Sequence, residues 1–298
     1  MGLTANTDEI TRDYFNSIMI TPRYLTDNTA ELPDTSISLW GREYKTPIMT
    51  AALSHLHNIC ENGMREFAIG AKTAGALHFV GMCEENELDD ILSGGADTVK
   101  IVKPHADEQV IYDKLKHAID GGCVAVGMDI DHAVSSAGTY DNVFGLPMLP
   151  KTTSQIASYV KACGEVPFIV KGVLSASDAY KSVEAGASAV LVSHHHAMMN
   201  SMTPPLFMLP EIVEAVNGKA KIIVDCGFES GMDVFKALAL GADGVCIGRN
   251  LMGPLKEGGA GVSRRIDEIN KELITVMART GCQKISDIDD SVLRFRSF

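Results

Sequence analysis

From residue 46 onward, short runs rich in Val and Ile alternate with longer stretches whose apolar positions recur every three or four residues, and Gly or Asn often marks the join. A short apolar run followed by an amphipathic stretch, repeated along the chain, is the pattern of βα units on a parallel sheet. The runs predict strands over 46–51, 76–81, 97–103, 123–131, 166–172, 188–195, 221–226 and 244–248. Helical periodicity follows over 62–74, 85–93, 106–120, 151–163, 175–185, 205–217 and 231–240, with 263–280 after the last strand. Ser175 or Ser177 is placed to cap the fifth helix, and Gly186, Gly218 and Gly241 to close three others. No GxGxxG follows the first strand, and an even eightfold alternation closes most simply as a single-domain α/β fold, the (β/α)8 or TIM barrel, over 46–298. Residues 1–45 precede it and are expected to pack across its bottom. The longest irregular stretch, 132–150, falls where it would shape a site at the other end.

Composition narrows the partner. A formal net charge of -12 argues against a nucleic acid held through its phosphates and favours a small molecule. An anionic ligand stays compatible, because helix N-termini and a few basic side chains can hold a phosphate inside an acidic protein. There is no apolar run long enough to span a membrane. The seven cysteines are scattered, odd in number and without a CxxC pair, so they read as buried thiols of a reducing cytoplasm. The polar, acidic start MGLTANTDEITRDYF lacks the character of a secretory signal, and Asn6 breaks the myristoylation pattern.

In a barrel of this kind the functional side chains lie at the C-terminal ends of the strands. Those positions carry Lys100, Asp129, Asp131, Lys171, His195, Asp225 and Arg249, too many polar groups ending apolar runs to be core. The segment DCGFESGMDVFKALALGADGVCIGRNLM, Asp225 to Met252, has glycines after strand seven, a helix following them, and Gly248-Arg249 after strand eight. Backbone N–H groups, a helix N-terminus and one guanidinium make a phosphate site.

The stretches GMDVFKALALGADGVCIGR, PFIVKGVLSASDAYKSVEAGASAVLVSHH and LPEIVEAV closely resemble the FMN-dependent α-hydroxy-acid oxidase/dehydrogenase family, the group of the glycolate and lactate oxidases. The likeness extends more weakly to FNSIMITPRYLTD, TPIMTAA and LITVMARTGCQKISDI, and so covers nearly the whole chain from about residue 12. It implies FMN as cofactor and an oxidoreductase of a small hydroxy acid or alcohol. By it His195 is the catalytic base, Lys171 the cation beside the flavin pyrimidine, Asp225 an aspartate orienting the histidine, and Asp131 a further strand-four carboxylate. The remaining cofactor contacts it implies are Ala51, Ala52, Gly81, Lys100, Asp129, Ser193, Gly227, Phe228, Gly248 and Arg249. Family members commonly form tetramers, which the resemblance carries over as a homo-oligomer.

The chain also departs from that pattern. After the catalytic histidine the family has two glycines and an arginine that clamps the substrate carboxylate; here the order is His195-His196-Ala197-Met198. A thioether does not replace a bidentate guanidinium. The family's tyrosine-bearing N-terminal segment is shortened, its strand-three tyrosine falls on Val102, its flavin-contacting glutamine on Lys100, its strand-two serine on Gly81, and its phosphate-loop arginine on Glu229. Met198, Met199 and Met202 suggest a less polar mouth as readily as core packing. Three other readings stay open: a metal-dependent lyase or hydrolase using Asp129, Asp131, His132 and the histidines; a flavin-assisted isomerase resembling the type 2 isopentenyl diphosphate isomerases; and a non-catalytic flavin binder. Strand alternation would send His194 and His196 one way and His195 the other.

Overall fold

Alternation decides the architecture. The computed structural model of the protein describes residues 6–25, 31–135 and 137–296; parts of the leading segment (1–5 and 26–30), one position of the 132–150 loop and the last two residues lie outside the described residues. Eight strands close into one barrel: β1 (Ile48–Leu53), β2 (His78–Val80), β3 (Thr98–Val102), β4 (Ala125–Asp129), β5 (Phe168–Val173), β6 (Ala189–Val192), β7 (Lys221–Val224) and β8 (Gly244–Ile247). Every neighbouring pair is parallel, and β8 pairs back onto β1. One parity of each strand fills the interior, where Met49, Leu77, Phe79, Val99, Ile101, Ile169, Leu191 and Ile223 pack together. The other parity, including Val80, Val102, Val126, Val170, Val190 and Val224, packs outward against the helices.

The enclosing helices are α1 (Gly63–Ala74), α2 (Glu85–Ser93), α3 (Glu108–Asp120), α4 (Thr153–Ala162), α5 (Ala176–Glu184), α6 (Pro205–Val216), α7 (Gly231–Ala239) and α8 (Gly258–Thr280). Ser175, rather than Ser177, caps α5, its Oγ accepting from the Asp178 amide at 3.0 Å. Lys100, Asp129 and Lys171 lie within β3, β4 and β5, whereas β4, β6 and β7 stop short of Asp131, His195 and Asp225, which stand on the loops just beyond.

The leading segment divides between the two ends of the barrel, which corrects its expected place across the bottom. The bottom is closed by a hairpin, Ile37–Leu39 with Arg42–Tyr44, turned at Trp40 and Gly41, both at positive φ as such a two-residue turn requires. Leu39 and Tyr44 join the interior cluster, and Asp97 holds both the Arg42 guanidinium and the Tyr44 hydroxyl. The helix Thr7–Ser17 instead lies on the opposite face, over the loops that follow β6, β7 and β8. Thr11 meets His194 at 3.1 Å, Lys236 donates to the Phe15 carbonyl, and Phe15 packs edge-on against Phe228. Sequence reading missed this because docking across the barrel mouth leaves no local periodic signal.

Candidate active site

The polar residues converge on one network at the C-terminal end of the barrel. Asp129, the last residue of β4, points inward and is buried; its two oxygens accept from Lys171 Nζ and Lys103 Nζ, each at 2.7 Å. Burial alone would raise the Asp129 pKa, but the two ammonium groups outweigh it and hold the carboxylate far below its ordinary range. Burial likewise opposes the charge on Lys171, and Asp129, Asp131 and Asp225 around it prevail and raise its pKa. Lys171 Nζ stands 3.2 Å from His195 Nδ1, and Asp131 Oδ1 stands 3.0 Å from the same nitrogen. With the Lys171 ammonium already donating to Asp129, the shorter contact assigns the Nδ1 proton to Asp131. That leaves the lone pair on Nε2.

Local backbone makes room for this arrangement. Gly172 has φ +90, and a Cβ there would fall 2.4 Å from the Asp131 carboxyl carbon, so the residue after Lys171 has no side chain. After β6 the chain runs through a left-handed turn at His195, His196 and Ala197, φ 47, 57 and 62. Two of these are the positions where the resembling family has glycine, and the left-handed backbone persists here without it, at a strain of about 1–2 kcal/mol per residue. The turn also corrects the alternation expected of the three histidines. The strand ends at Val192, so His195 and His196 both line the cavity, while buried His194 bonds Thr11 and receives the Ala197 amide. Burial lowers the His194 pKa.

A cavity of about 480 Å³ opens beside Lys171 and His195. Of the residues expected to contact cofactor, Ala51, Ala52, Lys171, Asp225, Gly227, Phe228, Gly248 and Arg249 line it, and so does His195. Asp129 and Ser193 sit behind the lining: Asp129 on Lys171, and the Ser193 hydroxyl accepting from the His195 amide at 3.0 Å. Gly81 is tucked under the β1 end, its amide on the Leu53 carbonyl. Lys100 is a correction. It pairs in register with Val80 and Val126 and shares their outward parity, so its Nζ reaches the Gly81 carbonyl and Cys83 Sγ rather than the cavity. Val102 faces outward for the same reason. Lys103, one position beyond β3 on the inward parity of Val99 and Ile101, is the residue that sequence reading missed; carrying the alternation one step further finds it. Asp225 has no hydrogen bond to His195 among the described residues and accepts from Cys226 Sγ at 2.9 Å instead, so Asp131 rather than Asp225 orients the histidine.

The fold's likeness is specific. A family model described as FMN-dependent dehydrogenase matches residues 3–163 and 154–295. The chain belongs to that family. It is 33% identical to the L-lactate oxidase of Lactobacillus jensenii over 315 aligned residues, 94% of this chain and 76% of the relative. With the glycolate oxidase of Spinacia oleracea it shares 28% over 317 residues, 94% of this chain and 85% of that one. A crystal structure of mandelate oxidase superposes with a TM-score of 0.88 at 26% identity, covering 99% of this chain and 92% of the other. Another mandelate oxidase structure, solved with an FMN adduct, gives 0.87 at 28%, covering 98% and 93%. The chain is therefore an FMN-dependent oxidoreductase on a TIM barrel, and among the described residues no helix is long and apolar enough to cross a membrane.

The residues of this family member fit FMN. The cavity lies within the size range of cofactor pockets, and small side chains, Ala51 and Ala52, form one wall. A Cβ on Gly248 would stand 3.3 Å from the Ala51 Cβ and 3.4 Å from a Leu53 methyl, so glycine there keeps the floor open. The phosphate end is built differently from the sequence expectation. The amides of Glu229 and Gly231, at the start of α7, are already taken by Asp233 and Glu272, which leaves the Gly227-Phe228 loop and the Gly248-Arg249-Asn250 segment. Arg249 is not alone there. Arg12 from the N-terminal helix lines the same cavity, bound to the Gly227 carbonyl at 3.2 Å and bidentately to Asp233, 3.8 Å from Glu229. Asp8 of that helix grips Arg249 through two 3.0 Å bonds, which lowers the Asp8 pKa.

Asp129, Asp131 and His195 also offer ligand atoms within 4.8 Å of one another. Both Asp129 oxygens already face an ammonium group at 2.7 Å, so a divalent ion there would meet two fixed positive charges.

The buried pairing has a definite pH signature. Asp129, with its depressed pKa, contributes stability that is present above 3.8 and is lost as pH falls below it; Lys171, with its raised pKa, contributes stability that is present below 10.5 and is lost as pH rises through the raised value. The contribution is flat between those limits. Asp129→Asn removes the one carboxylate bonded to both buried ammonium groups and should cost about 3–5 kcal/mol at neutral pH in urea unfolding. Unchanged stability would contradict the assigned pairing.

Proposed function

We propose that this protein oxidises a small 2-hydroxy acid, or a hydroxy-acid-like alcohol, with His195 as base. The observation that carries the reading is the His195–Asp131 pair set beside buried Lys171 at the cavity wall. Asp131 keeps the Nδ1 proton in place and stabilises the imidazolium formed when Nε2 takes a proton from the substrate. Lys171, held charged by Asp129, places a fixed positive charge where the cofactor's ring would gain electron density. FMN, when bound, accepts the hydride equivalent. The names of the relatives, lactate, glycolate and mandelate oxidases, support the substrate class. The grip on the substrate differs: Met198 stands where the resembling family has its clamping arginine and is absent from the cavity lining. The clamp is therefore missing from that position, and the methionines of the same turn, Met198, Met199 and Met202, favour a less polar substrate in its place.

The phosphate end of FMN falls to Arg249 and Arg12. Arg12 supplies from the N-terminal helix the positive charge that the loop loses at Glu229, and Asp8 competes with the phosphate for Arg249. All seven cysteines carry free thiols, which supports the reducing cytoplasm. Exposed Tyr180, Phe207 and Met232 on the outer faces of α5, α6 and α7 support a homo-oligomer, a tetramer by the resemblance.

His195→Gln should keep the flavin absorption spectrum while anaerobic flavin reduction by a 2-hydroxy acid slows by about 10²–10⁴-fold in stopped-flow; reduction at the wild-type rate would remove His195 as base. In fluorescence titrations of apoprotein with FMN, Arg12→Ala should weaken binding by roughly 10-fold or more, from the loss of a charge-assisted contact, and Asp8→Asn should tighten it. If both variants bind FMN as the wild type does, the N-terminal helix has no part in the phosphate site.

A further inference from the structure

A second, smaller cavity of about 70 Å³ lies outside the barrel mouth, beneath the hairpin of Asn142–Val143 and Leu146–Pro147. Its lining includes Lys100, Lys103, Lys114 and His105, with Phe144 and Leu146 from the hairpin above. This is a concentration of positive charge in a chain of net charge -12, and the carboxylate on its rim, Glu84, is solvent-exposed.

Two buried groups in it lack the partners that burial demands. Lys100 is 4% exposed, yet among the described residues no carboxylate lies within ion-pair distance; its Nζ reaches only the Gly81 carbonyl at 2.6 Å and Cys83 Sγ at 2.8 Å. An ammonium has three donors and a buried one is costly unless its charge is compensated. His105 is 5% exposed and its Nδ1 has no hydrogen-bond partner. Burial, with Lys114, Lys151 and Lys103 nearby, lowers the His105 pKa to about 4, so the ring is neutral at physiological pH and can present one N–H as donor. Lys103 gives one bond to Asp129 and retains two further donors.

We propose that this chamber is a binding site for a small oxyanion, held by Lys100, Lys103, Lys114 and the His105 ring. It is too small for a nucleotide or a drug-sized ligand, which take cavities of about 300 Å³ or more, and holds about two waters' worth of volume, the scale of one phosphate, sulfate or carboxylate group. The anion supplies the counter-charge that Lys100 lacks and an acceptor for the orphaned imidazole nitrogen. It also shares Lys103 with Asp129, which connects the chamber to Lys171 and His195 without overlapping the flavin cavity.

The test is thermal unfolding of the FMN-loaded protein, whose phosphate end is already filled, at constant ionic strength with sodium chloride exchanged for inorganic phosphate, sulfate or acetate. Preferential binding to the folded state should raise Tm saturably, by about 2–4 °C or more. A larger response to phosphate and sulfate identifies a free inorganic dianion as the fitting species; a larger response to acetate identifies a carboxylate group. Lys114→Met, a half-buried change on α3, and Lys100→Met should both diminish the shift while the flavin spectrum stays unchanged. Should Lys100→Met fail to fold, Lys114→Met carries the comparison. Equal Tm in chloride and in all three oxyanions, or a full response in Lys114→Met, would overturn the proposal.

Discussion

The catalytic end of this barrel depends on one buried carboxylate. Asp129 lies between two ammonium groups, and each of its oxygens is used. Two buried lysines would otherwise repel each other, and desolvation would work against the Lys171 charge; Asp129 between them holds both in place and favours the charged Lys171. From that follows the place of Lys171 at the cavity wall, and from Lys171 and Asp131 together the orientation of His195. The interaction is also exacting, because removing the shared anion strands two cations at once.

Much of this was legible in the sequence because the barrel imposes a period of two on each strand. Eight apolar runs and their helices fix the topology, and the polar residues at the run ends mark the chemical face. The same rule explains the error at Lys100. Assigning it by likeness to a glutamine ignored that it alternates with Val99 and Ile101, which point inward, so it had to point out; Lys103 has the inward parity. The histidine loop was illegible for another reason. Alternation applies only within a strand, and the chain leaves β6 at Val192 for a left-handed turn. The docking of the N-terminal helix rests on contacts with residues near 194, 227, 233 and 249, and pairings that distant leave no periodic trace in the chain.

That helix changes the account of the cofactor's phosphate end. The loop after β7 carries Glu229 where an arginine was expected, which taken alone reads as a weakened site. In three dimensions Arg12 arrives from the other end of the sequence into the same cavity, which is why it is proposed to fill the deficit, while Asp8 places an opposing carboxylate on Arg249. On that reading charge is moved between elements rather than lost. The substrate side is altered in the opposite sense: the two guanidinium groups of the lining, Arg12 and Arg249, are the ones proposed for the phosphate, and the turn after His195 carries Met198 in place of a third. In the proposed reading the base and the fixed cation stay at the positions the resemblance gives them, the orienting acid passes from Asp225 to Asp131, and the recognition is rebuilt around them.

The most direct measurement is anaerobic stopped-flow reduction of the FMN-loaded protein by a series of 2-hydroxy acids graded in side-chain size. Full bleaching of the flavin band, with half-saturation falling as the side chain becomes larger and less polar, is the result predicted by an intact proton-abstracting centre with an apolar grip. A protein that binds FMN and is bleached by none of these acids at any concentration would contradict it.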